Sequence, residues 1–340
     1  MRTLLKPLTA LVSGILLTAC TADARQVDVH DPVMAQQGDT FYLFSTGPGI
    51  TIYSSPDLVN WTPDGRAFAT EPEWAKSVAE NFKGHLWAPD IVHHNGLYYL
   101  YYSVSAFGKN TSAIGVTVNK TLDSSSADYA WEDKGIVVQS VPGRDLWNAI
   151  DPAVIIDEQG TPWMSFGSFW SGLKIFKLAP DMISMAQPDE WYSIAKRERP
   201  FSTDDTAAAP GALEAPFIFK KGEYYYLFLS WDKCCQGKDS DYKVVVGRSK
   251  TVTGPYFDKE GLDLNHGGGS LLIEGNERWP GVGHNSAYTF NGKDYLVVHA
   301  YEAADKYLQK FKMLEMTWDK DAWPVVDPKE LDTFVSKRVE

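Results

Sequence analysis

Five short stretches place a polar or ionisable residue at the head of an apolar run. They are HDPVM from His30, APDIV from Ala88, IDPAVII from Ile150, LEAPFI from Leu213 and GHNSAY from Gly283. The residues that could do chemistry are Asp31, Asp90, Asp151, Glu214 and His284. A carboxylate is costly to keep beside proline and aliphatic neighbours unless it is paired or used. Several carboxylates drawn to one place repel one another, so some hold their protons above the usual range while others ionise. Such a split suits general acid–base work. Glycoside cleavage needs little else, since one protonated carboxyl assists the leaving oxygen and one ionised carboxylate activates water or attacks the sugar. Glu214, followed by Ala215, Pro216 and Phe217, is placed to be the acid.

Convergence requires an architecture that turns spacing into proximity. The five heads recur at intervals of 58, 62, 63 and 70 residues, each followed by an apolar run, a glycine-centred turn and an aromatic-rich strand. Each repeat has a second half of mostly alternating runs, such as AIGVTVNKTL from Ala113 and VVVGRSKTVTGPY from Val244. Four strands in about 60 residues, with almost no helix-periodic segment, describe a propeller blade. The chain is therefore expected to be all-β, a five-bladed β-propeller, with the five head residues in equivalent positions round one mouth of its channel. Trp87, Phe107, Trp147, Phe169 and Trp170 fall in or just after turn regions. There a flat ring either stacks on a sugar or packs in the core.

The 340 residues carry a formal charge of -12 and 44% hydrophobic residues, enough for a large core. The charge argues against a nucleic-acid backbone or an anionic membrane as main partner. Residues 1–20, MRTLLKPLTALVSGILLTAC, pair a basic start with an apolar segment of export-signal length. Cys20 ends a lipobox-like stretch and would be lipidated, or cleavage follows Ala24 and gives a secreted protein. The mature domain is expected to span residues 21–340. Cys234 and Cys235 are adjacent, which allows a vicinal disulfide in an oxidising compartment or two free thiols, and does not suit a metal.

Taken together, the heads HDP, HLWAPD, NAIDPAV, LEAPFI and GHNS, in this order and spacing, resemble the arabinanases of glycoside hydrolase family 43. The resemblance runs from about Gln26 to Lys337. It implies a monomeric, inverting enzyme on α-1,5-linked L-arabinofuranose chains, with arabinan or arabino-oligosaccharides as substrate and no cofactor for the chemistry. It assigns Asp31 as general base, Glu214 as general acid, and Asp151 as the residue that orients the acid and tunes its pKa. It places His30, Trp87, Phe107, Asn148 and Ser168 along the sugar groove, and makes Asp90 a supporting residue that is not a catalyst. His284 resembles a channel histidine that in several relatives helps hold a metal, usually calcium, largely through water. Inversion implies a base–acid separation of roughly 6.5–9.5 Å. The chain ends soon after its fifth blade, which favours an arabinanase over the family's β-xylosidases.

Three other readings fit less well. A non-catalytic sugar-binding propeller need not keep three carboxylates together. HGGGS, His266 to Ser270, looks like an oxyanion-hole stretch but has no G-x-S-x-G partner, so a tight loop is expected. No glycine motif links a strand to a helix as nucleotide binding requires.

Overall fold

The computed structural model describes residues 25–339; residues 1–20, read above as an export signal ending in Cys20, lie outside them. Five antiparallel sheets follow one another along the chain. Their innermost strands are Val33–Gln37, His85–His94, Ala153–Ile156, Leu213–Lys221 and Val282–Phe290, numbered here as blades one to five. Among the described residues, helix is confined to the single turns Ala75–Val78 and Glu330–Thr333 and three 3₁₀ turns. No helix among the described residues is long and apolar enough to cross a membrane. The expected five-bladed propeller is what the chain forms.

The core lies between blades. One apolar cluster joins the facing sides of each neighbouring pair, as where Phe44 and Ile52 of blade one meet Leu100 and Tyr102 of blade two. Each such Phe or Leu stabilises the fold by roughly 1.5–3 kcal/mol on burial. Each sheet is covered on both sides, which is why its second strand reads as a nearly continuous apolar run, as in Leu97–Val104 and Tyr224–Trp231. The first and last described segments close the ring. Lys337–Arg338 adds a parallel strand to the outer edge of blade one. Residues 27–29 run beside Leu308–Trp318 of blade five, where the Lys310 ammonium bridges Asp28 and Asp305.

Near the head of every inner strand, two residues before it in blades one and three and three or four residues into it in the others, lies a residue in the left-handed region: Asp31, Ala88, Asp151, Ala215 and His284, with φ of 53°, 42°, 57°, 54° and 51°. That conformation costs a non-glycine residue roughly 1–2 kcal/mol. It also turns the residue's N–H out of its own ladder, and an acceptor in the preceding blade answers it each time. Thr46 Oγ1 accepts from Ala88 at 2.7 Å, Ser103 Oγ from Asp151 at 3.1 Å, Ser230 Oγ from His284 at 2.9 Å, and His299 Nδ1 from Asp31 at 3.2 Å. These four side chains hold one position in their blades, opposite the residue before the left-handed one. In blade three the same position is Gly167, whose N–H bonds Ile150 O and which has no side chain to offer. Asp151 Oδ2 takes its place and accepts from Ala215 N at 3.1 Å.

This alignment corrects the expected ring. Asp31, Asp151 and His284 are equivalent, but Glu214 stands one residue before the left-handed position and Asp90 two after it. The equivalents of Glu214 are His30, Trp87, Ile150 and Gly283, the layer nearer the mouth. Ser103→Ala removes the acceptor of the Asp151 N–H in a fully buried setting. It is expected to cost about 1–3 kcal/mol, read as a lowered urea midpoint; an unchanged midpoint would contradict the capping role.

Candidate active site

A cavity of about 500 Å³ opens over the inner-strand heads. His30, Asp31, Trp87, Phe107, Asn148, Asp151, Ser168, Glu214 and His284 all line it, so nine of the ten residues expected from the sequence come together. Asp90 does not. It lies deeper, 3% exposed, where its Oδ2 accepts the Val154 N–H at 2.7 Å and ties blade two to blade three. Burial pushes its carboxyl up to about 7.

Asp31 sits in a cage of imidazoles. His284 Nδ1 is 3.0 Å from Oδ1, His30 Nδ1 is 2.9 Å from Oδ2, and the Thr46 hydroxyl also donates to Oδ2. His299 stacks on His30 with ring centroids 4.3 Å apart. Burial alone would raise the Asp31 carboxyl, but His284, His30 and His299 together hold it well below the usual carboxylate range. His30 shifts the opposite way to its burial: desolvation lowers it, and the Asp31 charge, their hydrogen bond and Glu214 raise it overall. Burial dominates at His284 and His299, and both are lowered.

Across the pocket, Glu214 Oε2 accepts from Ser168 Oγ at 2.7 Å and Oε1 from Tyr242 O–H at 2.8 Å. Burial is the main cause that raises its carboxyl, the two hydroxyls oppose it, and the Asp31 charge adds to it. Asp151 is raised by burial, then by the charges of Glu214 and Asp31. This adjacent-blade pair therefore retains a proton above the usual carboxylate range while Asp31 is ionised. Environment thus splits the carboxylates into one anion and one proton-bearing pair, which is the division that acid–base catalysis uses.

Several contributors were not legible in the sequence. Tyr242 precedes a strand with no motif around it, and reaches Glu214 because residue 283 is glycine; a Cβ there would lie 2.2 Å from its ring. Thr46 and His299 act through strand pairing that sequence spacing does not display. Ser168 commits its hydroxyl to Glu214, and Asn148 Oδ1 accepts from Ser112 Oγ at 2.6 Å. Of the turn aromatics, Phe107 is 76% exposed at the rim, whereas Trp147 packs on Phe166 and Trp191 and belongs to the core. HGGGS lies outside the cavity, as a 3₁₀ turn leading to the edge strand Ser270–Glu274. Cys234 and Cys235 form a disulfide with each other.

The protein atoms round His284 do not by themselves make a calcium cage, so an ion there would have to be held largely through water. Calcium takes six to eight oxygens, whereas the neighbours here are the nitrogens of His30 and His299 and one carboxylate, whose oxygens are engaged by His284, His30 and Thr46. His299 Nδ1 is itself used by the Asp31 N–H.

Residues 25–324 match the sequence pattern of Glycosyl hydrolases family 43. The chain belongs to that family. This family 43 hydrolase is 67% identical over 327 residues to an extracellular exo-α-(1→5)-L-arabinofuranosidase of Cellvibrio japonicus (strain Ueda107), covering 96% of this chain and 94% of that protein. It is 39% identical over 325 residues to extracellular endo-α-(1→5)-L-arabinanase 1 of Bacillus subtilis (strain 168), covering 93% and 94%. A solved structure of Cellvibrio cellulosa α-L-arabinanase complexed with arabinohexaose is similar with TM-score 0.92 and 68% identity, covering 93% of this chain and 100% of that one. Membership makes the protein a glycoside hydrolase.

Because the Asp31 anion favours protonated His30, Asp31→Asn is expected to lower the His30 pKa. Imidazole NMR titration of the two proteins checks this; an unmoved or raised value would contradict the pairing.

Proposed function

We propose that this glycoside hydrolase cleaves α-1,5-linked L-arabinofuranose chains of arabinan with inversion of configuration. The observation that carries the reading is the pair Asp31 and Glu214, facing one cavity with the first carboxyl held low by imidazoles and the second raised by burial. Asp31 acts as general base. A carboxylate has about four lone-pair sites, so beyond its contacts with His284, His30 and Thr46 it can still accept a proton from water. That water's oxygen attacks the anomeric carbon while Glu214 gives its proton to the departing O5, and the glycosidic bond breaks. Asp31 and Glu214 sit on blades one and four, which are not neighbours, and this supports inversion, which needs a water between base and acid.

Asp151 is the positioning residue. Its bond to Ala215 N sets the backbone beside Glu214, and burial together with the Glu214 and Asp31 charges raises its own carboxyl, so the pair keeps a proton beside the leaving oxygen. His30, Trp87, Phe107, Asn148 and Ser168 shape the sugar site, the last through Glu214. The substrate class is supported by the relatives, whose names give arabinan-type linkages, and their extracellular description supports export of this chain.

A second cavity, of about 790 Å³, shares His85, Trp87, Ser105, Ala106 and Lys109 with the first and supports binding of a longer chain across the mouth. The primary reading is cleavage within arabinan, endo or processive. Exo action is favoured by the description of the 67% identical relative. Product length from linear arabinan separates them: a ladder of oligosaccharides is the endo outcome, one fixed short product the exo outcome.

Release of reducing ends from linear α-1,5-arabinan is expected, with kcat reduced about 10²–10⁴-fold in Asp31→Asn and in Glu214→Gln. Undiminished activity in either variant would refute its role, and activity on xylan alone would refute the substrate. The pH profile follows from the signs. Asp31 must be ionised and is held low, so the acid limb lies below the usual carboxylate range; Glu214 must be protonated and is held high, so the alkaline limb lies above it. Asp151→Asn keeps an acceptor for Ala215 N but removes the second ionisable carboxyl of the pair, so the alkaline limb should move to lower pH.

A further inference from the structure

The loop joining the second and third strands of a blade reaches over the cavity in three successive blades. In blade two it carries Phe107, and in blade three Phe169 and Trp170. In blade four the equivalent loop, between Tyr224–Trp231 and Lys243–Ser249, carries the disulfide-linked Cys234 and Cys235, which line the same cavity with Lys233 and Gln236. Where two blades present an aromatic ring, the fourth presents sulfur.

We propose that the Cys234–Cys235 disulfide is a sugar-contacting wall of the pocket, and so a specificity-determining element of the substrate site. The proposal rests on the arabinan reading above. Its place beside the reacting centre is fixed by His30: Cys235 Sγ lies 3.7 Å from His30 Nε2, and the other nitrogen of that ring bonds Asp31. A sugar held against the general base therefore lies within reach of the sulfurs. Chemically, two linked sulfurs form a compact, polarisable face with no proton to donate. Such a face packs well on C–H groups, as thioethers do on rings. Reduced, the same residues would be two separate thiols, and one beside a raised histidine would tend to the thiolate.

The disulfide is not what ties the loop down. Lys233 N donates to Asp241 Oδ1 at 2.8 Å, Ser240 Oγ donates to Lys233 O at 2.7 Å, and Cys235 N donates to Tyr301 Oη at 2.7 Å. These bonds involve no sulfur and are expected to persist when it is removed, so loss of the sulfur face can be separated from loss of the loop. An oxidising compartment, which the export signal implies, keeps the bond closed.

The test compares wild type, the double variant Cys234→Ala/Cys235→Ala, and wild type reduced with a phosphine, on a linear α-1,5-arabino-oligosaccharide, with melting recorded for each. KM is expected to rise roughly tenfold in both altered proteins with kcat within about threefold, the pattern of lost binding made equally in ground and transition states. The melting midpoints should stay above the assay temperature. Should the double variant unfold, the reduced wild type decides. An active wild type whose KM is unchanged by mutation or by reduction overturns the inference alone. A wild type inactive on the oligosaccharide overturns the arabinan reading beneath it.

Discussion

The site depends on one hydrogen bond, from the Ala215 N–H to Asp151 Oδ2. Near the head of each inner strand lies a left-handed residue whose amide cannot enter its own ladder, and a buried amide without a partner costs about 1–3 kcal/mol. Four blades solve this with a hydroxyl or an imidazole from the blade before. Blade three has Gly167 there, so its own left-handed aspartate supplies the acceptor. A backbone requirement of the propeller thus brings a second carboxylate beside Glu214. The same bond orients the acid's backbone and supplies the neighbouring charge that keeps a proton on the pair.

The electrostatic division follows the geometry of the ring. Asp31, equivalent to Asp151 in its blade, receives its own amide cap from His299, and the neighbouring His284 occupies the third equivalent head. It is therefore surrounded by imidazoles and ionised. Glu214 lies one residue nearer the mouth, on a non-adjacent blade, among hydroxyls and one carboxylate. Two carboxylates of one fold are driven apart in pKa by their partners, and the gap between blades one and four separates the groups that handle the two protons of hydrolysis.

Much of this was legible in the sequence. The recurrence of a polar head, an apolar run and an aromatic strand led to five blades, and the pocket residues named from the motifs converge except Asp90. The misplacement of Asp90 and the offset of Glu214 have one cause. Equivalence is set by the left-handed backbone position, which in blades two and four is the alanine of A-P, so aligning by carboxylate shifts the register. Tyr242, Thr46 and His299 were illegible because strand pairing and a missing Cβ at Gly283 create their contacts. Trp147 takes the core-packing one of the two roles open to a turn aromatic.

Neutron diffraction from deuterated crystals near neutral pH tests the central claim most directly. The account predicts a deuteron within the Asp151–Glu214 pair, an N–D of Ala215 directed at Asp151, and no deuteron on Asp31. A deuteron on Asp31, with Asp151 and Glu214 both bare, would contradict it.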